Sequence, residues 1–103
     1  KKYSDTLMGT ATGQFFGASL QLSQDGSVLA VGTPERLGYT GSKDGDVTIY
    51  EFDKKKDEWE RTAFIPGANE GFGLKVDMSN DGSRIIACSA RKQFSHAKIF
   101  AKK

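Results

Sequence analysis

One stretch of the sequence decides the fold: FGASLQLSQDGSVLAV at residues 16–31, which recurs 56 residues later as FGLKVDMSNDGSRIIA at residues 72–87. The Phe-Gly pair, a serine and the Asp-Gly-Ser triplet stand at the same places in both copies, and apolar residues recur between them. A repeat of this length is typical of chains built from supersecondary units that bury their apolar faces against one another. The sequence therefore predicts two similar units within residues 1–103.

Each copy contains the pattern of a β-hairpin. Residues 74–78 alternate between apolar and charged side chains, and this period of two predicts a half-buried strand. The Ser-x-Asp-Gly-Ser segment that follows combines side chains that bind nearby backbone N–H groups with a glycine that adopts positive φ. It predicts a hairpin turn whose structural residues are Ser23, Asp25, Gly26, Ser79, Asp81 and Gly82. The apolar runs after the turns, residues 28–31 and 85–88, predict strands buried on both faces that are second in their sheets and the most buried.

Further strands are predicted at residues 46–52, 59–65 and 96–101. Residues 3–9 echo the stretch before the second Phe-Gly and predict a strand that belongs to a preceding sheet or completes the second one. No segment has a helical period with caps. We therefore predict a single all-β unit made of two repeats of antiparallel four-stranded sheets, the first at about residues 14–67 and the second at about 70–101.

The repeat motif resembles the FG-GAP repeat of integrin-α-like β-propellers. Residues 16–34 spell Phe-Gly-x-Ser-Leu-x-Leu-Ser-x-Asp-Gly-x-x-Leu-Ala-Val-Gly-x-Pro, and residues 45–50 resemble the family's Gly-x-Val-x-x-Tyr strand. The second copy departs from the motif at residues 88–90, where Cys-Ser-Ala replaces Gly-Thr-Pro. The motif residues are Phe16, Gly17, Phe72 and Gly73. The resemblance implies propeller blades and an adhesion-like role at the cell surface or outside the cell. The Ser-x-Asp-Gly turn alone is shared with other propellers, including WD-repeat ones.

Calcium binding, which many FG-GAP repeats show, is not expected here. The family's loop carries several alternating carboxylates, whereas the turns at Asp25 and Asp81 have one each. Calcium takes six to eight oxygen ligands. Asp44 and Asp46, which flank Gly45, are weak candidates for a metal site. We expect no cofactor.

The chain also lacks a pattern that predicts catalysis. Cys88 replaces Gly32 at the end of an apolar run, where a small core side chain is expected, and His96 begins a strand at the surface. The carboxylates at residues 53–60 surround a lysine run, which is typical of a solvated loop. The aromatic residues are expected to pack between sheets; they are Phe15, Phe16, Tyr50, Phe52, Trp59, Phe64 and Phe72. We therefore predict no catalytic and no cofactor-binding residues.

A net charge of +2 does not indicate a nucleic-acid partner, and no apolar run reaches the length of a transmembrane segment. Two hypotheses lead, ahead of a third in which the chain belongs to an enzyme whose catalytic groups lie outside this segment. The first is a non-enzymatic protein-interaction module, a propeller fragment that binds another protein or a glycan through loops and strand edges. The second is a small accessory subunit permanently docked on a large assembly, such as a photosynthetic complex of the chloroplast.

Two blades do not close a propeller ring, which takes typically four to eight blades. We therefore expect apolar faces to remain partly uncovered at residues such as Leu20, Leu22, Leu74, Val76 and Met78. Such faces and open strand edges favour association. The chain is then either part of a longer propeller or bound to a larger partner, unless residues 6–9 complete a two-sheet sandwich.

Overall fold

The chain folds into β-strands joined by turns and loops. In the computed structural model the described residues are 6–9, 13–38, 41–67, 71–89 and 97–101. Within these ranges there is no helix, and the seven strands are β1 (Ser19–Leu22), β2 (Val28–Thr33), β3 (Asp46–Asp53), β4 (Glu58–Pro66), β5 (Lys75–Met78), β6 (Arg84–Cys88) and β7 (Ala97–Ala101). The all-β prediction is confirmed for this part of the chain.

The strands form two antiparallel sheets. Sheet 1 has the order β1-β2-β3-β4, and sheet 2 has the order β5-β6-β7. The described residues therefore give sheet 2 three strands rather than the predicted four. Residues 6–9 contain no strand, so the strand predicted at residues 3–9 is not formed over this portion. Residues 3–5, like His96, lie outside the described residues.

Both Ser-x-Asp-Gly-Ser segments form hairpin turns around the aspartate side chain. Asp25 Oδ1 accepts hydrogen bonds from Ser23 Oγ at 2.9 Å, from Ser27 N at 3.0 Å and from Ser27 Oγ at 2.7 Å. Asp81 Oδ1 accepts the three equivalent bonds at 2.7–2.9 Å. The glycine after each aspartate has a φ of 77° or 76°, which glycine adopts without a steric cost. The turns therefore set the register of the hairpins that they close.

The two hairpins pair in the same register. Ser19 lies opposite Gly32 in sheet 1, and Lys75 lies opposite Cys88 in sheet 2, at positions 56 residues further along the chain. Successive side chains of a strand point to opposite faces. Residues of the two hairpins that differ by 56 in number therefore occupy equivalent faces of their sheets.

One face of each sheet packs against the other sheet. The buried core cluster consists of Ala30, Val47, Ile49, Phe72, Ile85 and Ala87. Phe72, which precedes β5, has 0% of its surface exposed, and its ring meets that of Phe100 edge to face at a centroid distance of 6.1 Å. The phenyl ring of the second Phe-Gly pair therefore fills the space between the sheets.

The most buried strand is β3, not β2 or β6 as predicted. All residues from 46 to 50 are buried, whereas Val28 and Leu29 of β2 are half-buried. In β6, Ile85 is buried but Ile86 is 38% exposed. The apolar runs correctly predicted that β2 and β6 are each the second strand of their sheet. They predicted burial on both faces of β6 wrongly, because no further sheet among the described residues covers its outer face.

The aromatic residues do not all pack between the sheets. Phe15 is 63% exposed and Phe64 is 45% exposed, which contradicts the expectation for both. Phe52 and Trp59 instead pack edge to face across the β3–β4 pair, with ring centroids 5.5 Å apart. The aromatic side chains of the described residues are therefore spread over several surfaces rather than gathered in one core.

Replacing Phe72 with alanine is expected to lower the free energy of unfolding by about 3–5 kcal/mol, because it removes buried area and leaves a cavity between the sheets. Denaturant unfolding measures the change. The matched variant Phe15→Ala, at an exposed aromatic residue, is expected to change it by less than about 0.5 kcal/mol. Equal losses for the two variants would contradict the position assigned to Phe72.

A second prediction concerns acid stability. Hydrogen bonds from Ser27 lower the pKa of Asp25, and those from Ser83 lower the pKa of Asp81 from 3.8 to about 2. A carboxylate whose pKa is lowered by folding stabilises the fold above its unfolded pKa, and this contribution is lost as the pH falls from about 4 to about 2. The double variant Asp25→Asn/Asp81→Asn keeps the acceptor oxygens but does not titrate.

Melting temperatures measured between about pH 4 and pH 2 are therefore expected to fall less steeply for the double variant than for the natural chain. Asp57→Asn, on the exposed β3–β4 loop, serves as the control and is expected to keep the steep dependence. A double variant with the slope of the natural chain would show that the turn carboxylates are not the groups that titrate.

Candidate functional site

The residues with chemically reactive side chains are dispersed. Among the described residues, no group of three or more histidine, cysteine, aspartate or glutamate side chains is placed to hold a metal ion. Cys88 is a free, half-buried thiol at the end of β6. His96 lies outside the described residues, so the relation between these two side chains is not described. The remaining candidates for a site are a buried ion pair and the surfaces that the described residues leave uncovered.

One buried ion pair stands at the start of β3. Asp46 is 4% exposed, and its Oδ2 lies 2.8 Å from Arg36 Nε, in an ionic contact whose N–H is not aligned as a hydrogen bond. Its Oδ1 accepts a hydrogen bond from Thr48 Oγ1 at 3.3 Å. Burial raises the pKa of the Asp46 carboxyl, and the charge of Arg36 opposes this rise. The guanidinium therefore occupies the place next to this carboxylate that a metal ion would need.

Asp44, the second carboxylate of the weak candidate metal site, stabilises the loop before β3. Its Oδ1 accepts a hydrogen bond from Ser42 Oγ at 2.6 Å, and its Oδ2 lies so close to Gly38 that a side chain there would overlap it. The same loop is fastened by Arg36, whose Nη2 donates to the carbonyl oxygen of Gly45 at 3.2 Å. These contacts indicate that Asp44 and Asp46 have a structural role in stabilising the loop and the start of β3.

Sequence reasoning missed Arg36. Its guanidinium also lies over the ring of Phe64, 5.3 Å from the centroid, so that it connects the loop before β3 to the edge strand β4. The available signal was a single arginine in a glycine-rich loop that precedes a strand beginning with aspartate. That signal predicts an ion pair but does not show which face of the sheet bears it.

The first uncovered surface is an apolar groove between the sheets, which we call the inter-sheet groove. Its volume is about 310 Å³, and its apolar walls are Val28, Ile49, Ala63, Ile65, Ile85 and Phe100. Polar groups at Glu51, Thr62 and Ser83 also line it. The groove lies between β2, β3 and β4 of sheet 1 and β6 and β7 of sheet 2. Apolar walls with a few polar groups suit apolar side chains rather than a charged metabolite.

One wall of the groove belongs to an edge strand. Strand β7 pairs with β6 on one side, and no other described strand pairs with it. In sheet 1 the equivalent place beside β3 is occupied by β4, which pairs along the whole of Asp46–Asp53. An edge strand offers unpaired N–H and C=O groups to an incoming chain. The β7 edge and the inter-sheet groove together form a candidate binding site for an extended segment.

The second uncovered surface is the β1 part of the face of sheet 1 turned away from sheet 2, which we call the outer face of sheet 1. Further across this face, Val31, Thr48 and Tyr50 are buried. The β1 part carries Leu20 and Leu22, which are 57% and 51% exposed. The first Phe-Gly pair, Phe16 and Gly17, forms the turn that precedes β1. The expectation of uncovered apolar residues is met here and at Leu74, which is 43% exposed. Two others, Val76 and Met78, instead pack partly buried against the core.

Comparison with known protein families and with curated protein sequences gives no match. The described residues include no helix of the length and apolarity needed to cross a membrane. The function therefore has to be inferred from the two uncovered surfaces.

Proposed function

We propose that this chain is a non-enzymatic protein-interaction module that binds an extended segment of a partner protein along β7 and over the inter-sheet groove. The observation that carries the proposal is the apolar groove of about 310 Å³ beside a strand edge that no described strand pairs with. The resemblance to FG-GAP repeats, which implies an adhesion-like role, supports the same class of function.

Backbone pairing supplies the first part of the binding energy. Every second residue of an edge strand directs its N–H and C=O groups away from the sheet, and a partner strand satisfies them without regard to sequence. Since β7 spans Ala97–Ala101, five residues, a partner segment of about the same length pairs along all of it. A strand this short binds weakly unless its side chains are also buried.

The groove supplies the specificity. Because side chains alternate along a strand, every second residue of the partner points towards Phe100 of sheet 2 and towards Ala63 and Ile65 of sheet 1. Apolar side chains at these places bury the exposed surface of Ala63, and charged ones leave their charge without a partner on an apolar wall. We therefore infer a partner segment that alternates between apolar and polar residues.

A peptide copied from one strand of this chain can serve as a probe for this site. A peptide with the sequence of β4, residues 58–66, is expected to bind the intact protein, because β4 is the strand that pairs with the equivalent edge in sheet 1. Binding is measured by fluorescence anisotropy, and hydrogen exchange locates it. Amide protons of β7 are expected to exchange more slowly with the peptide bound.

Ala63→Glu, which puts a charge on the groove wall, is expected to weaken peptide binding at least about tenfold, a difference of about 1.4 kcal/mol. Lys54→Glu, in the exposed loop after β3, is the control and is expected to leave binding unchanged. The proposal is wrong if the peptide slows no amide of β7, or if both variants bind it as tightly as the natural chain.

A further inference from the structure

The inter-sheet groove is not apolar along its whole length. Glu51 is half-buried in β3, lines the groove and pairs with Val28 of β2. Val28 in turn lies against Gly82, since a side chain built on that glycine would meet Val28 Cγ2 at 2.9 Å. Gly82 belongs to the turn before β6, and the first residue of β6 pairs with Ala101. A carboxylate group therefore stands at the end of the groove where β7 ends.

The charges around Glu51 favour a cation at this end of the groove. Glu51 lies directly opposite Glu60 of β4, and like charges at such a position destabilise a strand pair. Lys56 Nζ lies 2.8 Å from Glu60 Oε1 and opposes the charge of this second carboxylate. A cation beside Glu51 lowers the repulsion further, and a partly buried pair is screened less by salt than an exposed one. Apolar side chains therefore suit the walls at Ala63 and Ile65, whereas a basic side chain suits Glu51.

The register of the two sheets indicates which partner residue comes near Glu51. Tyr50 pairs with Leu29 in sheet 1, and Phe100 pairs with the residue of β6 that lies 56 positions after Leu29, so Phe100 is the equivalent of Tyr50. On β4 the residue opposite Tyr50 is Arg61. A strand that pairs with β7 as β4 pairs with β3 therefore places the residue that corresponds to Arg61 opposite Phe100. Because Phe100 lines the groove and directly opposite side chains share a face, this residue also faces the groove.

The sequence of β4 already combines a basic and an apolar residue on the required face. Arg61 and Phe64 lie on one side of β4, with the guanidinium group 5.9 Å from the centroid of the phenyl ring. When a strand of this sequence pairs with β7, the same side turns towards sheet 1, where the guanidinium approaches Glu51 and the ring lies on the apolar walls. An arginine reaches a carboxylate over a long apolar side chain and forms charge-assisted hydrogen bonds with it.

We propose that the partner segment carries a basic residue, arginine or lysine, opposite Phe100, and that this residue pairs with Glu51. With the antiparallel pairing of β4, the basic residue precedes the apolar groove-facing residue in the sequence of the partner. The inference rests on the proposed function, because it concerns the segment that binds the same groove. It adds the sign and the position of the charge by which that segment is recognised.

The β4 peptide, residues 58–66, tests the inference on the intact protein. The peptide with Arg61→Gln is expected to bind the natural chain at least about fivefold more weakly than the unaltered peptide, which is the size of one partly exposed ion pair. On the protein variant Glu51→Gln the two peptides are expected to differ by less than about twofold. The protein variant Glu51→Lys is expected to bind the peptide with Arg61→Glu more tightly than the unaltered peptide. Fluorescence anisotropy measures each affinity.

The matched control is Glu58→Gln in the protein, which removes an exposed carboxylate of β4 outside the groove and is expected to keep the difference between the peptides. Slow exchange of β3 amides verifies that sheet 1 is folded in each variant. The inference alone is wrong if both peptides slow the exchange of β7 but bind the natural chain equally, or if their difference persists in Glu51→Gln. If neither peptide slows the exchange of β7, the inference and the proposed function are both wrong.

Discussion

The structure depends on a close approach of backbone to backbone at Gly32 and Gly45. The missing side chains at these positions let Phe72 and Gly73 come against sheet 1, where Ser19 binds the carbonyl of Gly73. Close approach is also what allows the ring of Phe72 to enter the core completely. The burial of a single large side chain is worth about 1.5–3 kcal/mol, a large share of the stability of a small domain. The glycines therefore determine whether the two sheets form one core or remain apart.

Sheets 1 and 2 differ at the positions that allow this close approach of the backbone. The face of sheet 1 that meets sheet 2 has Gly32 and Ser19 against Gly73, whereas the outer face of sheet 2 has Cys88 and Lys75 at the corresponding positions. Sheet 2 has three described strands and sheet 1 has four, and β4, whose Ala63 is exposed, lines the inter-sheet groove. The inter-sheet groove thus lies where the second repeat departs from the first in its number of described strands.

Much of this architecture was predictable from the repeat, because a turn such as that at Asp25 is defined by local hydrogen bonds and alternation defines the faces of a strand. The strand order and the second place of β2 and β6 follow from the same local patterns. The exposure of Ile86 does not follow from these local patterns, because it depends on how many sheets surround β6. The inter-sheet groove also depends on contacts between distant segments, and no local pattern specifies it. For Arg36 and Asp46, the local pattern indicates an ion pair but not the face of the sheet that bears it.

The most direct test of the central claim is the stability of Gly32→Ala. In a strand, alanine normally stabilises relative to glycine by roughly 0.5–1 kcal/mol. At Gly32 the account predicts instead that the free energy of unfolding falls by about 3 kcal/mol, because the methyl group pushes the carbonyl of Gly73 out of sheet 1. Gly41→Ala, at a left-handed position with no atom within 4 Å, measures backbone strain alone. A Gly32→Ala variant at least as stable as the natural chain would contradict the account.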